Sequence, residues 1–308
     1  MYDVLIVGAG PAGLNAAMVL GRQRRDVLVV DSGTPRNAPA KEMHMFLGRD
    51  GTNPADLRAD GRAELAAYPS VRIQEGFVHT ATGAADDFRA SLADGSEVHA
   101  KRILLTSGLT DHFPDIPGLR ERFGGTVRHC PFCHGWESRD QPLAVLGGST
   151  TAAMQARYIA DRFSTDVVLT TNGPVDADTN VLSSLAIHGI QVDERPIARL
   201  DGDGDLRIVY TDGDVLKRAA MFAFPATTPQ SAIGDQLGAR LTPGGSVIVD
   251  PYGRSTVPGL SAAGDAAQAE VLPGPPSSVI ASAGAGASTA MWLEQELFRS
   301  SLDITLPA

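Results

Sequence analysis

Cys130 and Cys133 are the only cysteines in the 308 residues, and they stand three apart in His129-Cys130-Pro131-Phe132-Cys133-His134-Gly135-Trp136-Glu137. That spacing suits a reversible dithiol-disulfide couple, in which one sulfur exchanges with an incoming thiolate and its neighbour resolves the mixed disulfide. His134 is the candidate proton handler, because thiol exchange needs a group that titrates near neutrality and imidazole does. The competing assignment for His134 is a solvent-facing helix residue, and His129 has the weaker claim of the two histidines. A zinc site of His129, Cys130, Cys133 and His134 is disfavoured, since adjacent side chains project in different directions instead of converging on one ion. Two cysteines are also too few for a four-thiolate site or a secreted disulfide framework, and a chain of this length has a core that needs no structural disulfide.

The elements around the pair are those of nucleotide-binding proteins. Residues 2–7 form a β-rich run, Gly8-Ala9-Gly10-Pro11-Ala12-Gly13 turns into an Ala-rich helix to about Leu20, and residues 26–30 form a second apolar run closed by Asp31. Strand, glycine turn, helix, strand and acid follow in the order of a dinucleotide-binding βαβ unit. Gly8 permits the tight turn, Gly10 lets a pyrophosphate approach the helix N-terminus, and Gly13 lets helix and strand pack closely. Asp31 is placed to accept from ribose hydroxyls. A second unit starts with a strand at 141–146, then Gly147-Gly148-Ser149-Thr150-Thr151-Ala152, a helix to about Phe163 and a strand at 166–169. The expected fold is α/β, with two Rossmann-like, three-layer dinucleotide-binding domains, the second inserted in the first. The expected boundaries are 1–112 with 245–308 for the outer domain and 113–244 for the inserted one, which carries the cysteines.

The second turn departs from a working nicotinamide site. Ser149 stands at its middle glycine position, and the second strand is followed by Thr170-Thr171-Asn172-Gly173-Pro174. That stretch has neither the arginines that pair a 2'-phosphate nor the acid that holds an unphosphorylated ribose. No productive use of NAD or NADP is expected, the alternative being that Arg157 or Arg162 reaches the phosphate.

Two more segments, Ile103-Leu104-Leu105-Thr106-Ser107-Gly108 and Gly259-Leu260-Ser261-Ala262-Ala263-Gly264-Asp265, complete a resemblance that covers nearly the whole chain. The chain resembles the low-molecular-weight thioredoxin reductases. Within them it is most similar to the FAD-dependent dithiol oxidases that close disulfides in natural products such as gliotoxin and holomycin, above all the bacterial, holomycin-type branch. The resemblance implies FAD, contacted by Gly8, Gly10, Pro11, Ala12, Gly13, Asp31, Ser32, Arg36, Asn37, His44, Val78, Thr106, Gly108, Gly264 and Asp265. Asp265 would meet its ribityl or phosphate end, and the N-terminus of a helix at 277–298 would face the reduced flavin. It also implies Cys130 as the exchanging thiol, Cys133 as the flavin-proximal one, and a homodimer.

Thioredoxin reductases usually carry an aspartate directly after the second cysteine, and His134 replaces it here. With no hydride donor, electrons would enter from a small-molecule dithiol and leave to O2 as hydrogen peroxide, in antibiotic biosynthesis or self-protection. Met43, Met45, Phe46, Phe113, Phe132 and Trp136 are candidate linings of an apolar substrate pocket, and Val271-Leu272-Pro273-Gly274-Pro275-Pro276 reads as a stiff loop beside it. The alternatives are a thioredoxin reductase-like disulfide reductase, using NADPH or another donor with a protein partner, and a flavin-binding sensor without turnover.

A formal charge of −10 argues against nucleic-acid or anionic-membrane partners. The densest basic cluster, Arg22, Arg24 and Arg25, reads as the solvated C-terminal end of the first helix. No apolar run approaches the roughly 20 residues of a bilayer span, and the N-terminus enters its first strand without a basic leader, so a cytoplasmic protein is expected.

Overall fold

A computed structural model of the protein describes residues 1–275 and 277–302, so Pro276 of the proline-rich loop lies outside the described residues. The chain divides into two units: Met1–Ala38 with Asn53–Thr110 and Thr227–Ala308, and Pro39–Thr52 with Asp111–Ala226. Among the described residues no helix is long and apolar enough to cross a membrane.

In chain order the first unit contains β1 (Tyr2–Val7), α1 (Pro11–Arg22), β2 (Val27–Asp31), α2 (Pro54–Leu65), β3 (Val71–Glu75), β4 (Val78–Ala84), β5 (Asp87–Leu92) and β6 (Glu97–Leu105). Strands β3, β2, β1 and β6 lie side by side and parallel in that order. The apolar run at residues 4–7 of β1 is continuous because a parallel sheet covered on both faces buries both sets of side chains. Val4 and Ile6 join Val27, Val29 and Leu104 on one face, while Leu5 and Val7 join Leu28, Val30, Ile103 and Leu105 on the other. β6 has further partners, pairing antiparallel with β5 through its first half and parallel with Leu260–Ala262 through its last residues.

Helix α1 and the C-terminal helix Val279–Ser300 cover the Val4 face. Their small residues let the backbones approach until a Cβ on Gly286 would lie 2.0 Å from the Ala12 carbonyl oxygen. A side chain at Gly286 would push the helices apart. This contact anchors the first turn of α1, where the glycine fingerprint sits.

The second unit has a five-stranded parallel sheet in the order Gln191–Asp193, Val167–Thr170, Leu143–Leu146, Ala220–Ala223, Val127–Arg128. The helix Thr150–Arg162 follows Leu143–Leu146 and buries Ala152, Ala153, Ala156 and Ile159 against it. An antiparallel sheet of Ile197–Asp201, Leu206–Tyr210 and Val215–Arg218 completes the unit.

The second unit begins at Asp111, two residues before the expected 112/113 boundary, and the boundaries differ from expectation in two larger ways. Residues 227–244 belong to the first unit, because Ile233 and Ala239 enter its core and the Gln236 amide bonds the His79 carbonyl and the Ala81 N–H. Residues 39–52 leave the first unit for the second, as a loop closed by a bridge between Met43 and Thr52. No break in composition marks either point.

Candidate active site

The cysteines open a single helical turn in the second unit. Cys130 is the extended N-cap of Pro131–His134, and its carbonyl accepts from the N–H groups of Cys133 (3.2 Å) and His134 (3.1 Å). Pro131 fits the first helical position because it has no N–H to satisfy and its φ suits a helix start. Both sulfur-bearing residues are half-buried. The turn is tied down by Arg128, which donates to the His134 carbonyl at 2.9 Å and to the Ser138 hydroxyl, while Ser138 donates to the same carbonyl at 2.8 Å.

His134 is half-buried, and its ring meets that of His44 edge-on at 5.8 Å between centroids. Burial, then the Arg128 guanidinium and then His44 hold its pKa below the usual histidine value, against the opposing pull of Glu137 and a hydrogen bond to the Glu42 backbone. Such an imidazole is neutral at pH 7 and can accept a proton. The ring is half-buried against His44 and is not fully solvent-facing. His129 packs its ring 5.8 Å from that of Phe224. Among the described residues no three histidine, cysteine or acidic side chains are grouped as a metal site.

In the first unit the glycine turn forms a cradle that side chains would fill. Gly8 has φ +105°, and a Cβ there would lie 2.6 Å from the Thr106 carbonyl oxygen; on Gly13 it would lie 1.9 Å from the Gly8 oxygen. A Cβ on Gly10 meets nothing within 4 Å, and no side chain caps the helix that starts at Pro11. The N-terminus of α1 therefore presents N–H groups and a partial positive charge to open space, as a pyrophosphate requires. Asp31, at the end of β2, accepts from the Ala9 N–H at 3.1 Å and pairs with Arg62, while Thr106 donates to the Gly8 carbonyl at 2.8 Å. Asp265 pairs with Arg36 at 3.1 Å and accepts from Ser282 at 3.4 Å.

The second glycine turn is built differently. Ser149 is the N-cap of Thr150–Arg162, its hydroxyl accepting from the Ala152 N–H at 3.3 Å. Residues 174–178 then run along the turn. The Asp176 N–H donates to the Gly148 carbonyl at 2.8 Å, the Asp178 N–H donates to the Thr150 hydroxyl at 2.9 Å, and a Cβ on Gly148 would meet the Pro174 oxygen at 3.2 Å. Arg157 lies against Asp161 and His188, and Arg162 against Asp161, along the later half of the helix and away from the turn.

The pyridine nucleotide-disulphide oxidoreductase family matches residues 2–290. The chain belongs to that family. It is 32% identical over 278 residues to "Thioredoxin reductase tcpT" of Claviceps purpurea, covering 86% of each protein. It is similar to the solved structure of HlmI, with a TM-score of 0.88 and 36% identity over 97% of this chain and 93% of that one. The thioredoxin reductase of Streptococcus pyogenes shares the fold, with a TM-score of 0.87 at 22% identity over 97% and 99% of the two chains. This oxidoreductase has the two-domain, thioredoxin reductase-like α/β architecture, and the family binds FAD. The open, uncapped cradle of the first unit fits that cofactor. Residues 10–13 would hold its pyrophosphate and Asp31 its ribose, with Arg36 and Asp265 completing the site.

Not all expected cofactor residues gather there. Gly8, Gly10, Pro11, Ala12, Gly13, Asp31, Ser32, Arg36, Asn37, Thr106, Gly108, Gly264 and Asp265 are all in the first unit. Val78 is there too, but its side chain is sunk in the core at 2% exposure, leaving only its main chain to offer. His44 is in the second unit, beside His134. Ser278 caps the C-terminal helix, its hydroxyl accepting from the Ala281 N–H at 3.2 Å, so that N-terminus is partly satisfied from within.

The apolar residues expected to line a pocket also separate. Phe113 stacks on Phe123 against the core of the second unit, Met43 is buried, and Phe132 and Trp136 point outward with 66% and 65% exposure. Sequence reasoning misses Arg128, although it directly precedes the His129 motif.

Proposed function

We propose that the protein is an FAD-dependent dithiol oxidase that closes an intramolecular disulfide in a small-molecule dithiol, with O2 as acceptor. The observation that carries this reading is the second glycine turn: Ser149 stands at its middle glycine position and takes up the Ala152 N–H, and the residues after the following strand, 170–174, offer neither an arginine nor an acid to a nicotinamide nucleotide. A member of the family whose nicotinamide turn is weakened in this way takes its electrons from the thiol side. The likeness to HlmI and the Cys-Pro-Phe-Cys sequence support the same direction.

In the exchange, His134 takes the proton of the first substrate thiol, whose sulfur bonds to Cys130 as the Cys130–Cys133 bond breaks. The second substrate sulfur then displaces Cys130, leaving a substrate disulfide and two enzyme thiols. FAD held in the first-unit cradle would supply the two-electron acceptor for the enzyme dithiol, with O2 as final acceptor and hydrogen peroxide as product. Arg128 and Ser138 keep the cysteine turn and His134 in one arrangement throughout.

A second reading, disulfide reduction driven by NADPH, has the name of the Claviceps relative in its favour. Anaerobic mixing separates the two. The dithiol oxidase keeps its yellow colour with NADPH and bleaches with dithiothreitol, and Cys133→Ser stops the dithiol bleaching. Rapid bleaching by NADPH overturns the proposal.

A further inference from the structure

The exchange leaves the histidine beside its base without a task. His44 is held by the loop Pro39–Thr52 with its ring edge-on to His134, at an interplanar angle of 89°. Carboxylates face it on both sides: Asp50 lies 3.4 Å from Nδ1, and Glu42 and Glu137 each lie 3.7 Å from Nε2. His44 Nε2 and Glu137 Oε2 are both buried without a hydrogen-bond partner among the described residues. At 3.7 Å the His44–Glu137 contact is too long to be a good hydrogen bond, yet close enough for charge to act. Buried polar groups left in this state cost stability, so the arrangement calls for a role other than holding the fold together.

We propose that His44 and Glu137 are positioning residues that set the charge state of His134 during thiol exchange, and so decide when it accepts a proton and when it returns one. The inference rests on the reading of His134 as the exchange base. That base must do both jobs: it takes a proton as the substrate sulfur bonds to Cys130, and gives one to the sulfur released as the Cys130–Cys133 bond breaks. A ring that binds the proton too weakly leaves the substrate protonated, and one that binds it too tightly never returns it.

The groups around His134 are of opposed sense. The Arg128 guanidinium and His44 disfavour its charged form, and Glu137 and the Glu42 backbone favour it. Glu42 and Asp50 face His44 from its own loop, with exposed carboxylates. His44 is thus the group through which the loop's charges reach the base.

The test is a 13C-histidine NMR titration of the FAD-loaded enzyme, as wild type, His44→Gln and Glu137→Gln, alongside anaerobic stopped-flow reaction with dithiothreitol across pH. In His44→Gln the His134 midpoint moves up, and in Glu137→Gln it moves down. The acid limb of the exchange rate follows each shift, so a little below neutrality His44→Gln exchanges about threefold to tenfold more slowly. His44→Lys, which places a fixed cation beside the ring, moves the midpoint back down and restores much of the rate. An unchanged midpoint in His44→Gln, or movement of both variants in the same direction, overturns the proposal. His134→Asn tests the reading beneath it: if exchange in that variant is as fast as in wild type, His134 is not the base, a result distinct from a failed titration arm.

Discussion

The two glycine turns of this chain begin alike and end as opposites. Each follows a parallel strand whose last four residues are buried, and each opens a helix of twelve or thirteen residues. The first leaves its helix uncapped and its middle glycine facing open space, whereas the second caps its helix with Ser149 and has residues 174–178 bonded alongside the turn. An anion site at a helix N-terminus consists of unsatisfied N–H groups. A side-chain cap such as Ser149 takes one of those groups out of use without disturbing the surrounding fold.

Substitutions at the first turn test this with the largest effects. In Gly13→Val the new Cβ meets main chain 1.9 Å away, which cannot yield as a flexible side chain would. The turn must open, at a cost of about 3 kcal/mol or more, and the purified protein should be colourless by its visible flavin absorbance. Retained FAD would mean the cradle is not the one described. Gly10→Ala is the subtler variant, because φ is −73° and the methyl group meets nothing within 4 Å. Its apoprotein should unfold in urea as wild type does, while FAD affinity, followed by flavin fluorescence, falls about tenfold through loss of the close backbone approach. Unchanged affinity would show that the open space above Gly10 is not where the cofactor's phosphates lie.

Much of this was legible in the sequence, for identifiable reasons. The order of strands and helices followed from continuous apolar runs punctuated by glycine, and the cofactor cradle followed from a fingerprint whose spacing is fixed by close packing. Ser149 and the uncharged residues after the second strand were readable as departures from a nicotinamide fingerprint. The packing of residues 174–178 along that turn was not, since backbone hydrogen bonds such as Asp176 to Gly148 leave no mark on residue type. His44 shows the same limit. It is far from His134 along the chain, and it reaches that ring through a loop that belongs to the second unit although the sequence on either side of it belongs to the first. Hydrophobic periodicity reports which face of an element is buried, not where a loop between elements comes to rest.

The smallest effects, at the second turn, separate the missing middle glycine from the residues that follow the second strand. Ser149→Ala removes the hydroxyl that accepts from the Ala152 N–H, which should cost about 1 kcal/mol in urea unfolding and leave FAD content unchanged. Ser149→Gly should cost only a few tenths of a kcal/mol, since glycine is tolerated at an N-cap, and it restores the middle glycine of the fingerprint. If the missing glycine alone excluded the nicotinamide, this variant would let NADPH bleach the flavin anaerobically. The main-chain bond from Asp176 to Gly148 is untouched by the substitution, and Pro174 still lies against the turn. The expected outcome is no bleaching by NADPH, because residues 170–174 still supply neither an arginine for a 2'-phosphate nor an acid for a ribose.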